Sequence, residues 1–68
     1  MHKLIVARHG VFYQFVLLDR YLLYSIDNQI WHDYYMFDKD EFATLDDAWE
    51  KIKTMLIEDG FSFIRIDD

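Results

Sequence analysis

The stretch TLDDAWEKIKTMLIEDG, residues 44–60, decides the fold of this chain. Its apolar residues recur at helical spacing and predict an amphipathic helix over residues 44–60. Thr44 suits the N-cap, and Gly60 suits a left-handed C-cap that lets Phe61 pack back onto the last turn. Because the rest of the chain is strand-like, this helix is the one element on which a sheet can lie. The apolar stripe consists of Leu45, Ala48, Trp49, Ile52, Met55 and Leu56.

Five strand-like segments surround the helix in the order β-β-β-β-α-β. They cover residues 3–8, 11–18, 21–26, 29–37 and 61–66. Short turn signals at residues 9–10, 19–20 and 27–28 predict that the first four strands form an antiparallel meander. We expect the last strand to lie beside the first, with its direction left open. The predicted fold class is therefore α+β, an antiparallel sheet of about five strands with one helix packed on one face.

The composition describes one small domain, residues 1–68, that is rich in apolar side chains. Hydrophobic residues make up 53% of the chain and aromatic residues 19%, which predicts a dense core with apolar surface left over. The chain has no cysteine, so disulfides and thiolate metal sites are excluded. No segment approaches the roughly 20 apolar residues of a membrane-spanning helix, and we expect a cytoplasmic protein.

The formal net charge of −6 disfavours anionic binding partners. Nucleic acids and anionic membranes are poor partners for an acidic chain, because binding them relies on Lys and Arg. A basic protein partner is compatible with this charge.

The second and third strands carry apolar residues on both of their faces. An antiparallel sheet covered on one face normally alternates apolar with polar residues, so this pattern predicts a second apolar face. One helix covers one face, and no other segment is left to cover the second. Our candidate partner-binding set is Val11, Tyr13, Phe15, Leu17, Tyr21 and Leu23. The second candidate set is Phe12, Val16, Leu18, Leu22, Tyr24 and Ile26. The alternation leaves open which of the two sets faces the helix.

Three arrangements would cover such a second face. The sheet could curl into a half-barrel, a second copy could pair face to face or edge to edge with it as a symmetric dimer, or another protein or a small apolar ligand could bind it. We expect the homodimer.

Residues that could carry chemistry are few. His32 and Asp33 are adjacent on a strand and point to opposite faces, so they do not share a metal ion. The segment 38–41 is acidic, but the residues after it lack the glycine and glutamate that an EF-hand loop needs. The Ser and Thr residues have no His or Asp at a sequence spacing that indicates a catalytic triad, and the chain has no glycine-rich phosphate-binding loop. We therefore predict no enzyme, no cofactor and no metal.

Acidic residues cluster in the second half of the chain. The candidate acidic partner-binding surface is Asp38, Asp40, Glu41, Asp46, Asp47 and Glu50. One-sided acidity can occupy the basic groove of a partner, as DNA-mimicking inhibitors do, or can serve solubility alone. A third interpretation is an enzyme subunit or ligand binder with an aromatic pocket near Trp31 and Tyr35. The function we predict is a self-associating interaction or regulatory module; the alternative is an acidic inhibitor or nucleic-acid mimic.

Overall fold

A computed structural model describes residues 2–67 of the chain. All neighbouring strands pair antiparallel, in the spatial order β4-β3-β2-β1-β5. The predicted α+β class is confirmed, and the last strand lies beside the first. Its direction, which the sequence left open, is antiparallel. The elements are β1 (Lys3–Arg8), β2 (Val11–Leu18), β3 (Tyr21–Ser25), β4 (His32–Met36), α1 (Leu45–Glu58) and β5 (Ser62–Asp67).

Local hydrogen bonds begin and end α1 where the sequence predicts. Thr44 Oγ1 accepts a hydrogen bond at 3.1 Å from the backbone N–H three residues on, which caps the N-terminus. Gly60 has a φ of 91°, and its N–H donates to the carbonyl of Ile57. The N–H of Phe61 donates to the carbonyl of Leu56. These last two bonds define a Schellman motif, which satisfies carbonyls that the helix end would otherwise leave unpaired.

Two-residue loops connect the first three strands into tight hairpins. In the first loop, His9 and Gly10 have φ values of 54° and 76°, and a type I′ turn requires positive φ at both positions. In the second loop, Asp19 has a φ of 56°. These turns fix the register of the meander.

The core lies between α1 and one face of the sheet, which we call the helix side. The helix contributes Trp49, Ile52 and Leu56 to it. Burial of these large side chains is the main favourable term for a fold of this size. The sheet and its flanking segments contribute Leu4, Val6, Phe15, Leu22, Phe37 and Phe61. The opposite side of the sheet is the outer face.

Residues 29–31 belong to a loop, although the sequence places them in the fourth strand. Ser25 is fully buried, and its Oγ donates to Asp27 Oδ1 at 3.0 Å. The same carboxylate oxygen accepts from the backbone N–H groups of Gln29 and Ile30 at 2.9 and 3.0 Å. Because these bonds hold the backbone in a closed loop, the chain begins to pair with β3 only at His32, the first residue of β4.

Candidate functional site

The predicted partner-binding set does not lie on a single face of the sheet. Its β2 members Tyr13, Phe15 and Leu17 lie on the helix side, where Phe15 is fully buried and the other two pack against the core. Phe15 therefore has no surface to offer a partner. Val11, at the start of β2, is exposed. The prediction that the β2 members of the set share one face of the sheet with Tyr21 was wrong.

Tyr21 and Leu23, the two β3 members of that set, lie on the outer face. Tyr21 pairs with Leu18 and Leu23 pairs with Val16, and directly paired residues share a face of the sheet. A two-residue loop pairs odd positions with even ones, so the outer face combines parts of both sets drawn from the sequence. Leu18 and Val16 are the members that the preferred set missed, and the length of the loop is the signal that identifies them.

Three exposed apolar residues adjoin one another at one end of the outer face. Tyr21 lies between Leu18 and Met36 in the register. Their side chains are 57% (Leu18), 42% (Tyr21) and 53% (Met36) exposed. We call these three residues the outer patch. The outer face as a whole follows from alternation and register, and its strand residues are Lys3, Ile5, Ala7, Phe12, Gln14, Val16, Leu18, Tyr21, Leu23, Ser25, Asp33, Met36, Ser62, Arg65 and Asp67.

The loop formed by residues 26–31 covers the middle of the outer face. Lys3 Nζ donates to Asn28 Oδ1 at 3.0 Å, which ties the loop to β1. Asn28 and Trp31 line one groove together with Val16, Leu18 and Leu23. Val16 is only 5% exposed as a result. The expectation that no other segment could cover this face was therefore wrong for its centre and holds for the outer patch.

The formal charges of the outer face balance one another. Lys3 and Arg65 supply two cations, and Asp33 and Asp67 supply two anions. Arg65 Nε contacts Asp67 Oδ1 at 2.9 Å. The net charge of −6 is thus carried by other parts of the surface.

The predicted acidic surface lies on the segment after β4 and on the first turns of α1. Glu41 Oε1 accepts from the Tyr35 hydroxyl at 3.0 Å, and its Oε2 accepts from the Asp38 N–H at 2.6 Å. The bond to Glu41 raises the pKa of Tyr35. Glu41 is therefore engaged in holding its own loop. The remaining members of the surface are exposed: Asp38, Asp40, Asp46, Asp47 and Glu50.

An aromatic cluster joins the C-terminal end of α1 to the helix side of the sheet. The ring centroid of Phe15 lies 5.1 Å from that of Tyr34 and 5.5 Å from that of Phe61. The Arg8 guanidinium carbon lies 4.1 Å from the Phe61 centroid, and Arg8 Nη1 donates to the Asp59 carbonyl at 3.0 Å. The Tyr34 hydroxyl donates to the Asp59 carboxylate. Burial of the Tyr34 hydroxyl, together with this bond, raises the pKa of Tyr34 to about 12. The polar groups of the cluster thus stabilise the helix end.

The other candidate residues are not brought together. Trp31 lies in the groove of the outer face, and Tyr35 lies on the helix side, so these two residues do not form one aromatic pocket. The ring of His32 packs 5.1 Å from that of Tyr24 on the helix side, whereas Asp33 lies on the outer face. Within residues 2–67, no three His, Asp or Glu side chains converge in a way that could hold a metal ion.

The fold and these surfaces define a small antiparallel α+β domain with an apolar patch on a sheet face whose strand residues are balanced in charge. No protein-family model, curated protein or solved structure matches the chain. Across the part of the chain that the structure describes, no helix has the length and apolar character needed to span a membrane.

Proposed function

We propose that this protein is a small non-enzymatic interaction or regulatory module that forms a homodimer through its outer face. The outer patch is the observation that carries the proposal. Leu18, Tyr21 and Met36 are each at least 42% exposed, and the apolar groove of Val16, Leu23 and Trp31 adjoins them. Contiguous exposed apolar surface of this kind is typical of interaction sites on small domains.

The size of the outer face suits a second copy. The five strands have five to eight residues and lie about 4.8 Å apart, so the sheet measures roughly 24 Å across and about 27 Å along its longest strand. Side-chain relief raises its accessible area above this flat footprint. Together with the loop of residues 26–31 that covers its middle, the outer face offers an area of the order of the roughly 800 Å² that each partner contributes to a standard interface.

The charge of the outer face also favours a second copy. Two chains that each carry −6 repel one another over most of their surfaces. The strand residues of the outer face carry no net charge, and the loop that covers its middle adds one carboxylate, that of Asp27, so two copies meet less like-charge repulsion there than over the rest of their surfaces. A symmetric pairing of this face with itself is the arrangement that most homodimers adopt. We also propose a cytoplasmic location, which suits a chain whose stability does not rest on disulfide bonds.

A charged residue placed in the outer patch tests the proposal. Light scattering over a series from about 10 μM to about 1 mM should show the wild-type mass rising from one chain to two. Leu18→Glu should keep the mass of one chain throughout, because the new carboxylate would lose its hydration on association. The matched control is Leu45→Glu, since Leu45 is 61% exposed on α1 and the substitution adds the same charge.

Leu45→Glu is expected to dimerise like the wild type. Met36→Glu provides a second variant in the patch if Leu18→Glu loses its circular dichroism spectrum. A wild-type mass of one chain at every concentration would reject the dimer, and an equal effect of Leu18→Glu and Leu45→Glu would reject the outer face as its interface.

A further inference from the structure

A second apolar surface lies on the other side of the sheet, between α1 and β5. It is a cleft of about 170 Å³ whose floor is formed by the buried side chains of Leu4, Val6 and Leu56. Its walls include Ile57 and Phe63, which are 64% and 48% exposed. An apolar cavity of about 150 Å³ accepts a molecule the size of benzene, so this cleft has room for one branched or aromatic side chain.

The cleft adjoins an open edge of the sheet. Among the described residues, β5 pairs with β1 and with no other strand. The backbone N–H and C=O groups along its other side are therefore available to an incoming strand. A bulge in the pairing with β1 places both Phe63 and Ile66 on the helix side, because Phe63 pairs with Val6 and Ile66 pairs with Leu4. An edge flanked by an apolar cleft is the arrangement used in β-strand addition.

The two features together select an extended polypeptide as the occupant. An added strand would lie about 4.8 Å from β5 and would direct every second side chain toward the helix side, over the cleft. Its backbone would pair with the open edge while its alternate apolar side chains filled the cleft. A compact ligand does not offer both a backbone that pairs with the open edge and apolar side chains that fill the cleft.

Charge selects the kind of peptide. Lys53 is the charged residue among those that line the cleft, and it is already paired with a carboxylate, since its Nζ lies 3.7 Å from Glu50 Oε1. Glu58 follows Ile57 on α1 and carries an exposed carboxylate. With a chain charge of −6, this surface favours a positively charged segment. We propose that the β5 edge and the cleft bind an extended basic peptide segment with apolar residues at alternate positions.

The probe is an acetylated and amidated hexapeptide of alternating Lys and Ile, titrated into the ¹⁵N-labelled protein. Saturable amide shifts should appear along β5 and around Ile57. Ile57→Gln should weaken binding by about tenfold, because the cleft loses much of one apolar wall. Leu45→Gln is the matched control, since Leu45 is equally exposed at the other end of α1, and it should bind like the wild type. Replacing each Lys of the peptide with Glu should weaken binding.

Two N-methylated forms of the peptide test the backbone pairing. One carries the methyl groups on its Ile residues and the other on its Lys residues, and each form blocks a single edge of the extended peptide. Strand addition requires that one form lose binding while the other keeps it. Equal binding by both forms, or equal weakening by Ile57→Gln and Leu45→Gln, would overturn the proposal. Repeating the titration in Leu18→Glu keeps the result independent of the proposed dimer.

Discussion

Tyr34 shows how one residue ties together elements that are far apart in the chain. In the pairing of β3 with β4, Leu22 lies opposite Tyr35 and Leu23 lies opposite Asp33, so Tyr34 is the extra residue of a bulge. Bulges redirect side chains. Here the extra residue carries its ring into the aromatic cluster and its hydroxyl to the Asp59 carboxylate beyond α1.

The raised pKa of Tyr34 predicts a loss of stability at alkaline pH. The pKa rises from 10.0 to about 12, so folding favours the neutral phenol. This contribution is fully present below pH 10 and is lost as the pH rises from 10 toward 12. Tyr34→Phe should lower the stability at pH 7 and should flatten its decline between pH 10 and 12. Urea unfolding across this pH range measures both slopes, and equal slopes for Tyr34→Phe and the wild type would contradict the prediction.

At the scale of elements, the C-terminal cap of α1 depends on the backbone conformation of Gly60. A φ of 91° is costly for a residue with a Cβ, and left-handed backbone costs such residues about 1–2 kcal/mol. A Cβ added there would meet only Arg8 Cδ at 3.7 Å, an ordinary contact. Gly60→Ala should therefore lose about 1–2 kcal/mol in urea unfolding because of the backbone and not because of crowding.

A chain made by chemical synthesis with D-alanine at position 60 separates these two causes. D-Alanine favours positive φ, so this chain should match or exceed the wild-type stability. If the D-alanine chain lost as much stability as the L-alanine chain, backbone strain would not be what limits this position.

The ends of α1 could be predicted from the sequence because capping is local. Thr44 and Gly60 each act within a few residues of their own positions, and the helix lies between them as expected. Alternation alone could not assign the residues of different strands to the two faces of the sheet. Alternation assigns residues within one strand, whereas the match between β2 and β3 depends on the two-residue loop between Leu18 and Tyr21.

The start of β4 was missed for a different reason. Ile30 and Trp31 are residues that strands favour. The side-chain oxygens of Ser25 and Asp27 accept hydrogen bonds from the backbone N–H groups of residues 28–30. These bonds form a closed loop, so the same N–H groups do not take part in a strand ladder. Trp31 consequently lies against the outer face, where the sequence predicted no cover.

At the scale of the whole molecule, charge and apolar surface occupy different regions. The strand residues of the outer face are balanced in charge, while the segment after β4 and the first turns of α1 hold a cluster of acidic residues. Two functions considered for this chain use these different regions. Self-association would use the outer face, and an acidic inhibitor would use the acidic segment and the first turns of α1.

The two functions predict opposite responses to salt. Two copies that each carry −6 repel one another at long range, and added salt screens this repulsion. The dimer dissociation constant, measured by sedimentation equilibrium, should therefore fall or stay level from about 20 mM to about 500 mM NaCl. A complex of the acidic surface with a basic partner, for which an oligolysine peptide serves as the probe, should weaken steeply over the same range. If the dimer weakened with salt as the oligolysine complex does, opposite charges and not the outer face would hold the two copies together.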